Sequence, residues 1–227
     1  RIFSPHTMTI VDDGSQSGTA IVRFEGTDGG MALVDSMLPT FPVGVEATVD
    51  YILAPEATHL EVVTTLHNPT QKDLSVDAGQ FLQFSSRTTP FYDGCGQDQD
   101  CLLTSESVSW VASRAGDVSY GVTVAKGKSI QLSLAFDKLF LLSGGSFSIP
   151  PDGEVSTRQF FLVGQGTIED VRAQAQALRG ETPEAEVHLQ VSLTDEWSQM
   201  EDAWIRVRKT GAEEAVAWVT ASTPDET

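Results

Sequence analysis

Residues 45–53 read VEATVDYIL, and this stretch decides the fold class of the 227-residue chain. Its apolar side chains fall at every second position, and they are Val45, Ala47, Val49, Tyr51 and Leu53. A period of two places alternate side chains on opposite faces of an extended chain. The stretch therefore predicts a β-strand with one buried and one solvent-facing side.

Segments with the same alternation follow along most of the chain, at residues 60–66, 74–84, 118–124 and 130–136, with shorter ones at 21–24 and 157–163. They are separated by DDGSQSG, TDGG, HNPTQKD, AKGK and PPDGE, which are rich in residues that accept turn geometry. About ten strands before residue 165, without alternating helices, predict an all-β fold. We expect a two-sheet antiparallel β-sandwich, of the large kind called a supersandwich.

One helix is predicted on the C-terminal side of this sandwich. Thr167 is a good N-cap, Asp170 can answer it in a capping box, and Gly180 can supply the left-handed residue that ends the helix. Arg172 and Arg179 are expected towards the polar face. The expected apolar face consists of Ile168, Val171, Ala175 and Leu178.

A domain boundary is predicted after Gly180, because residues 181–186 read ETPEAE, which is acidic and lacks large apolar side chains. Residues 1–180 would form the supersandwich domain. Residues 181–227 would form a linker and a small immunoglobulin-like β segment, with strands in VHLQVSL, AWIRVRK and AVAWVTA. The chain begins at Arg1 without a methionine, so we expect a processed chain or an excised part of a longer one.

The net charge of −18, from 32 acidic and 14 basic residues, produces a field that repels nucleic acid and anionic membranes. No apolar run approaches the roughly 18 residues of a membrane helix. Neither nucleic-acid binding nor membrane insertion is therefore predicted. The oligomeric state is left open.

Residues 51–85, YILAPEATHLEVVTTLHNPTQKDLSVDAGQFLQFS, resemble the strand-and-turn run of galactose-mutarotase-like supersandwich domains. Residues 157–180, TRQFFLVGQGTIEDVRAQAQALRG, are similar to the closing strand and helix of such domains in secreted bacterial proteins. The segment from VHLQVSL onwards resembles the opening strands of a carboxypeptidase-regulatory-like domain. In some of these proteins a CehA/McbA-type metallohydrolase domain follows. The resemblance implies a sugar-related module in an extracytoplasmic bacterial protein.

The four histidines indicate whether the catalytic residues implied by this resemblance are present in the chain. A metallohydrolase centre of that kind needs a His-x-His pair, and His6, His59, His67 and His188 are scattered. Such a centre would lie outside this chain. A mutarotase-like activity would need proton carriers, for which His59, His67 and acidic residues are the candidates. Exposed structural histidines are the favoured interpretation.

The loop PFYDGCGQDQDC, residues 90–101, contains both cysteines of the chain. A redox pair would normally be Cys-x-x-Cys at the start of a helix, and a zinc site would need two further ligands. A disulfide between Cys95 and Cys101 is the favoured interpretation, and it predicts an oxidising, extracytoplasmic compartment.

Two further hypotheses concern the same loop. Asp93, Asp98 and Asp100 offer oxygen ligands that suit calcium, although their order does not match an EF-hand. Phe91 and Tyr92 are candidates for ligand binding, because aromatic rings in a loop can stack on a sugar. Apart from this calcium hypothesis no cofactor is predicted.

The sequence thus predicts a non-catalytic β-sandwich module of a secreted or surface bacterial protein. Its expected partner is a carbohydrate or a protein, or it is accessory to a hydrolase domain not in this chain. Two alternatives stay open, a mutarotase-like sugar-active enzyme and a purely structural assembly domain.

Overall fold

The computed structural model describes residues 3–28, 43–83, 91–92, 106–115, 118–136, 139–182, 203–208 and 215–221. The described residues up to 182 form twelve strands and a helix. In chain order these are β1 (Phe3–Asp13), β2 (Ala20–Asp28), β3 (Glu46–Leu53), β4 (His59–His67), β5 (Leu74–Gln83), β6 (Phe91–Tyr92), β7 (Glu106–Val108), β8 (Trp110–Ala115), β9 (Val118–Val124), β10 (Ile130–Phe136), β11 (Leu139–Ile149), β12 (Glu154–Gly164) and α1 (Ile168–Arg179).

The strands build two antiparallel sheets of unequal size, which confirms the predicted all-β sandwich. The large sheet has eight strands in the order β1-β2-β3-β4-β12-β9-β8-β6. The small sheet has four strands in the order β5-β11-β10-β7. Because the small sheet has half as many strands, it covers only part of the large one.

The register of the large sheet separates an inner face, towards the small sheet, from an outer face. Directly paired residues share a face, so the pairing of Leu66 with Ala47 and Val155 places all three on the inner side. The outer face carries a charged pair on β2 and β3. Arg23 there makes a bidentate ion pair with Asp50 at 2.7 and 2.8 Å, which raises the pKa of the guanidinium.

Two apolar clusters lie between the sheets, one at each end of the small sheet. The first is formed by Tyr92, Val108, Val111, Val122, Val124, Ile130 and Leu132. The second is formed by Val45, Leu66, Val76, Ala78 and Ile149. Burial of this apolar surface, at about 25 cal/mol per Å², is the main force that holds the sheets together.

The turn after β4 ties the two sheets to each other through one buried side chain. Asn68 is fully buried, and its Nδ2 donates to the carbonyl oxygens of Lys72 and Ile149 at 2.8 Å and of Pro150 at 3.0 Å. Its Oδ1 accepts hydrogen bonds from the backbone and hydroxyl of Thr70. A side chain that satisfies five partners fixes this turn in one conformation.

The helix that the sequence predicts, α1, covers part of the outer face of the large sheet. Thr167 caps it by accepting from the backbone N–H of Asp170, and Gly180 ends it at φ 61°. The Asp170 carboxylate accepts from the N–H of Gln165 and not from that of Thr167, so the capping box is shifted. The residues that pack the helix onto β8 and β12 are Ile168, Val171, Ala175 and, partly buried, Leu178.

The expectation that Arg179 lies towards the polar face was wrong, because its side chain is only 8% exposed. Its Nη1 donates to the carbonyl oxygens of Val124, Ala125 and Lys128 at 3.0 to 3.3 Å. Its Nε donates to Glu181 at 2.7 Å. These bonds satisfy the buried guanidinium, so the end of the helix is fastened to the turn between β9 and β10.

A separate two-stranded antiparallel sheet consists of β13 (Ala203–Arg208) and β14 (Ala215–Ala221). These are the strands predicted in AWIRVRK and AVAWVTA. The strand predicted in VHLQVSL lies outside the described residues. The domain boundary after Gly180 stays a prediction.

Candidate functional site in the cleft between the sheets

A cavity of about 480 Å³ opens where the large sheet extends past the small one. It lies between the inner faces of β3, β4 and β12 and the edge strand β5. Its size falls within the roughly 300–1,000 Å³ of typical small-molecule sites. The residues that line it are Phe3, Thr27, Asp28, Val45, Ala47, Val49, Tyr51, Thr64, Leu66, Val76, Asp77, Ala78, Gly79, Thr157, Gln159 and Phe161.

The deepest polar group of the cavity is the side-chain amide of Gln159. This residue sits on the inner face of β12, between Val62 on β4 and Val124 on β9, and is only 5% exposed. Its Oε1 has no hydrogen-bond partner among the described residues. An unsatisfied buried acceptor costs about 1–3 kcal/mol. A bound donor, from water or from a ligand, would remove that cost.

The walls around this amide are mainly apolar and aromatic. Val49 and Leu66 are buried at 8% and 9% exposure, whereas Tyr51 is 36% exposed. The ring of Tyr51 meets that of Phe24 edge to face, with centroids 5.6 Å apart. Such walls suit the apolar face of a ring-shaped ligand.

The charged groups of the lining are both carboxylates. Asp28 accepts from the backbone N–H of Val43 at 3.0 Å, and Asp77 accepts from the hydroxyl of Ser146. The residues that line the cavity include no lysine, arginine or histidine. The cleft therefore favours neutral or cationic ligands over anionic ones.

The candidate histidines lie on the outer face of the large sheet, away from the cavity. His67 contacts Glu46 through Nδ1 at 3.1 Å, and the ring of His59 meets that of Phe160 edge to face. The two residues mark opposite ends of β4, which has 9 residues and is therefore about 26 Å long at roughly 3.3 Å per residue. A separation of that size prevents them from acting on the same sugar ring.

The aromatic pair of the cysteine loop lies in the core. Phe91 and Tyr92 form β6, pair with β8 and are 4% and 7% exposed. Their rings pack in the apolar clusters on the two faces of the sheet, Phe91 with α1 and Tyr92 with the small sheet. In this arrangement they present no ring face to solvent. Ligand binding by this pair stays a prediction.

The remaining candidates of the loop, Asp93, Asp98 and Asp100 with Cys95 and Cys101, lie outside the described residues. Their calcium and disulfide hypotheses stay predictions. Within the part of the chain that the structure describes, no three His, Cys, Asp or Glu side chains converge as metal ligands. In the same residues, no helix is long and apolar enough to span a membrane.

Sequence reasoning did not find Gln159, although a signal for it exists. In residues 154–164, EVSTRQFFLVG, the positions Val155, Thr157, Gln159 and Phe161 share one phase of the alternation. An amide in the phase that holds Val155 and Phe161 indicates a polar group on a buried face. That phase is buried because the small sheet lies above it.

No protein-family model and no curated protein matches the chain. Among solved structures, a TPR-domain containing protein from Parabacteroides distasonis is similar with a TM-score of 0.50 at 9% identity, over 81% of this chain and 37% of that chain. A GH36 α-galactosidase from Geobacillus stearothermophilus gives a TM-score of 0.45 at 10% identity, over 78% and 30%. A galactose mutarotase-like protein from Clostridium acetobutylicum gives 0.39 at 11% identity, over 72% and 66%.

This chain thus spans between 30% and 66% of the length of these three proteins. At such low identities the likeness concerns the fold alone. The first match shows that the sandwich arrangement recurs in a part of a much longer bacterial protein.

Proposed function

We propose that this chain is a non-catalytic β-sandwich module that binds a neutral carbohydrate in the cleft between its sheets. The observation that carries the proposal is the buried Gln159, whose Oε1 lacks a partner among the described residues at the cavity. A sugar hydroxyl is a neutral donor of the kind this oxygen needs.

The surroundings of the amide support the same ligand class. Sugars combine hydroxyl groups with apolar ring faces, and the cavity combines polar groups with the rings of Phe3, Tyr51 and Phe161. The carboxylates Asp28 and Asp77 can accept further hydroxyl hydrogens but disfavour uronic acids and sulfated or phosphorylated sugars. The sequence resemblance of residues 51–85 to galactose-mutarotase-like domains points to the same class.

A binding role fits this cavity better than proton transfer by the candidate histidines. A mutarotase-like reaction needs an acid and a base on the same ring, and the described histidine candidates His59 and His67 lie on the other face. The extracytoplasmic location and the accessory role beside a hydrolase domain belong to the proposal as well.

The test is binding to an array of neutral, uronic and sulfated glycans, compared between the natural chain and Gln159→Leu. We expect binding to neutral glycans and a loss of at least about tenfold in affinity for the variant, because a ligand hydroxyl that loses its acceptor in a buried site costs about 1–3 kcal/mol. The control is Gln131→Leu, an exposed glutamine on β10. Binding that prefers anionic glycans, or that survives in Gln159→Leu, would contradict the proposal.

A further inference from the structure

A row of cross-strand neighbours crosses the inner face of the large sheet from the cavity to β1. Gln159 on β12 pairs with Val62 on β4, which pairs with Tyr51 on β3. Tyr51 pairs with Val22 on β2, and Val22 pairs with Ile10 on β1. Four steps of about 4.8 Å between neighbouring strands make this row roughly 19 Å long. Because directly paired residues share a face, the buried amide and the apolar side chains lie on one continuous surface.

A second row lies beside the first, two residues away on each strand. In the same strand order it consists of Thr157, Thr64, Val49, Phe24 and Met8. The edge-to-face contact between the rings of Phe24 and Tyr51 joins the two rows. We call the part of both rows that lies on β1, β2 and β3 the apolar band. It consists of Met8, Ile10, Val22, Phe24, Val49 and Tyr51.

Both rows change from polar to apolar along their length. On β12 and β4 they carry the amide of Gln159 and the hydroxyls of Thr64 and Thr157, whereas the Tyr51 hydroxyl is the one polar side-chain group of the apolar band. The apolar end is also the accessible one, since Ile10 is 63% exposed and Gln159 5%. Tyr51 lines the cavity as well, so the cavity opens directly onto the apolar band.

We propose that the carbohydrate bound by this chain carries an alkyl chain, as in a glycolipid, and that the alkyl chain lies along the apolar band. The proposal rests on the carbohydrate site proposed above and names the class of its ligand. A neutral sugar head with an apolar tail matches the polar and apolar ends of the two rows. Neither row contains a charged side chain, so the tail would desolvate no charge.

The position of the apolar band favours a small amphiphile over another protein. The band runs across β1, β2 and β3, whereas an added strand would pair along the edge of β1 and leave Tyr51 and Val22 accessible. The net charge of −18 opposes contact with a second copy of this acidic chain or with anionic lipid. A ligand with an uncharged head meets no such repulsion.

The test compares methyl and octyl glycosides of glucose, galactose and mannose by isothermal titration calorimetry, with each octyl glycoside kept below its micelle concentration. We expect at least one octyl glycoside to bind about thirtyfold or more tightly than its methyl counterpart. Full burial of one methylene is worth roughly a factor of four in affinity, and the band covers one side of the chain. Burial of the tail should also make the heat-capacity change of binding more negative.

Variants distinguish the site of the head from that of the tail. Gln159→Leu should weaken the methyl and the octyl glycoside by the same factor, at least about tenfold. Replacement of both Met8 and Ile10 by serine should lower the ratio of octyl to methyl affinity at least about threefold. The matched control is Val163→Ser, because Val163 is also an exposed apolar strand residue, at 58% exposure, but lies outside the apolar band on β12. It should keep that ratio, and urea unfolding shows whether each variant is folded.

A methyl glycoside that binds, together with an octyl glycoside that binds no more tightly, would overturn this proposal and leave the carbohydrate site standing. Octyl tetraethylene glycol that binds as tightly as the octyl glycoside would also overturn it, because the chain would then be bound without a sugar. So would an unchanged ratio of octyl to methyl affinity in the folded double variant. If no glycoside of either length bound, both this proposal and the carbohydrate site would be wrong.

Discussion

The two halves of the large sheet differ in what covers them. In the half formed by β12, β9, β8 and β6, the small sheet lies on the inner face and α1 on the outer face, so that Val111, Val122 and Leu162 are at most 1% exposed. In the half formed by β1, β2, β3 and β4, the inner face carries Met8, Ile10 and Leu53, which are 47% to 63% exposed. We call these the closed half and the open half.

The difference suggests that one half of the sheet stabilises the fold and the other half is available for binding. The closed half buries apolar surface on both sides, which is what stabilises a fold. In the open half Val45 and Leu66 still pack against the small sheet, but Met8, Ile10 and Leu53 are left accessible, which is typical of surfaces that bind something. The cavity with Gln159 lies at the junction of the halves, where buried residues such as Val49 adjoin accessible ones such as Tyr51.

The largest expected effect is in the closed half, at Gly121. A Cβ atom there would lie 2.4 Å from the carbonyl oxygen of Val111 and 2.6 Å from Cγ1 of Val171. Gly121→Val should therefore displace α1 from β9. We expect it to lower the free energy of unfolding by at least about 3 kcal/mol, which is the upper end of the cost typical of overpacked cores. Urea denaturation measures this, with Ser148→Val on the exposed face of β11 as the control. A loss below about 1 kcal/mol would show that the helix does not sit on this glycine.

The next effect concerns the buried end of the helix. Arg179→Met keeps the aliphatic stem but removes the donors to three backbone carbonyls. The carbonyl oxygen of Ala125 keeps the N–H of Lys128, but a buried acceptor that loses its donor is costly, and we expect a loss of about 2 kcal/mol in unfolding free energy. Arg172→Met is the matched control, since its ion pair with Glu169 is partly exposed and should contribute less than about 0.5 kcal/mol. Equal losses in the two variants would refute the fastening role of Arg179.

At the junction of the halves we expect a substitution that raises the free energy of unfolding instead of lowering it. Gln159→Leu removes an acceptor that has no partner among the described residues. In the absence of ligand, the free energy of unfolding of the variant should therefore be about 1 kcal/mol higher than that of the natural chain. The exposed Gln131→Leu should change stability by less than about 0.5 kcal/mol. If Gln159→Leu were destabilised by a similar amount instead, the amide would be bonded in the unliganded protein.

The smallest effect is expected in the open half. Leu53→Ala should alter the unfolding free energy by less than about 0.5 kcal/mol, because nearly half of the side chain is already exposed at 47%. The same truncation in the closed half, Leu162→Ala at 1% exposure, should cost about 2–5 kcal/mol. Paired urea titrations of the two variants measure the contrast. Similar losses would mean that the open half is covered in solution.

The sequence predicts the strands of this fold where its alternation is regular. The segments at residues 118–124 and 130–136 coincide with β9 and β10, and both helix caps lie where Thr167 and Gly180 predict them. Strand β11 was missed because Gly144 and Gly145 interrupt its apolar pattern at a register shift. Strand β1 was missed because an edge strand needs no buried face, and its alternation of Thr and Met gives a weak signal.

The alternation of apolar and polar residues in a strand also does not predict which element packs on the apolar face of the sheet. Tyr51 and Leu53 share the phase of Val49, as predicted, but they are exposed because β5 does not extend over them. The same limit explains why the cavity was not foreseen. Its lining comes from β1 to β5 and from β12, which is far from them in sequence, and the alternation around Gln159 indicates a polar group on a buried face but not a cavity beside it.

The central claim, that a neutral sugar binds at the junction of the two halves, is tested most directly by amide NMR spectra of the natural chain. Galacto-, gluco- and manno-trioses would be titrated separately to millimolar concentration. The account predicts that at least one triose shifts the side-chain amide signals of Gln159 together with backbone signals of Val49 and Thr64, and that Gln159→Leu abolishes the shifts. Spectra unchanged by all three trioses, or shifts confined to the outer face around His59 and Arg158, would contradict it.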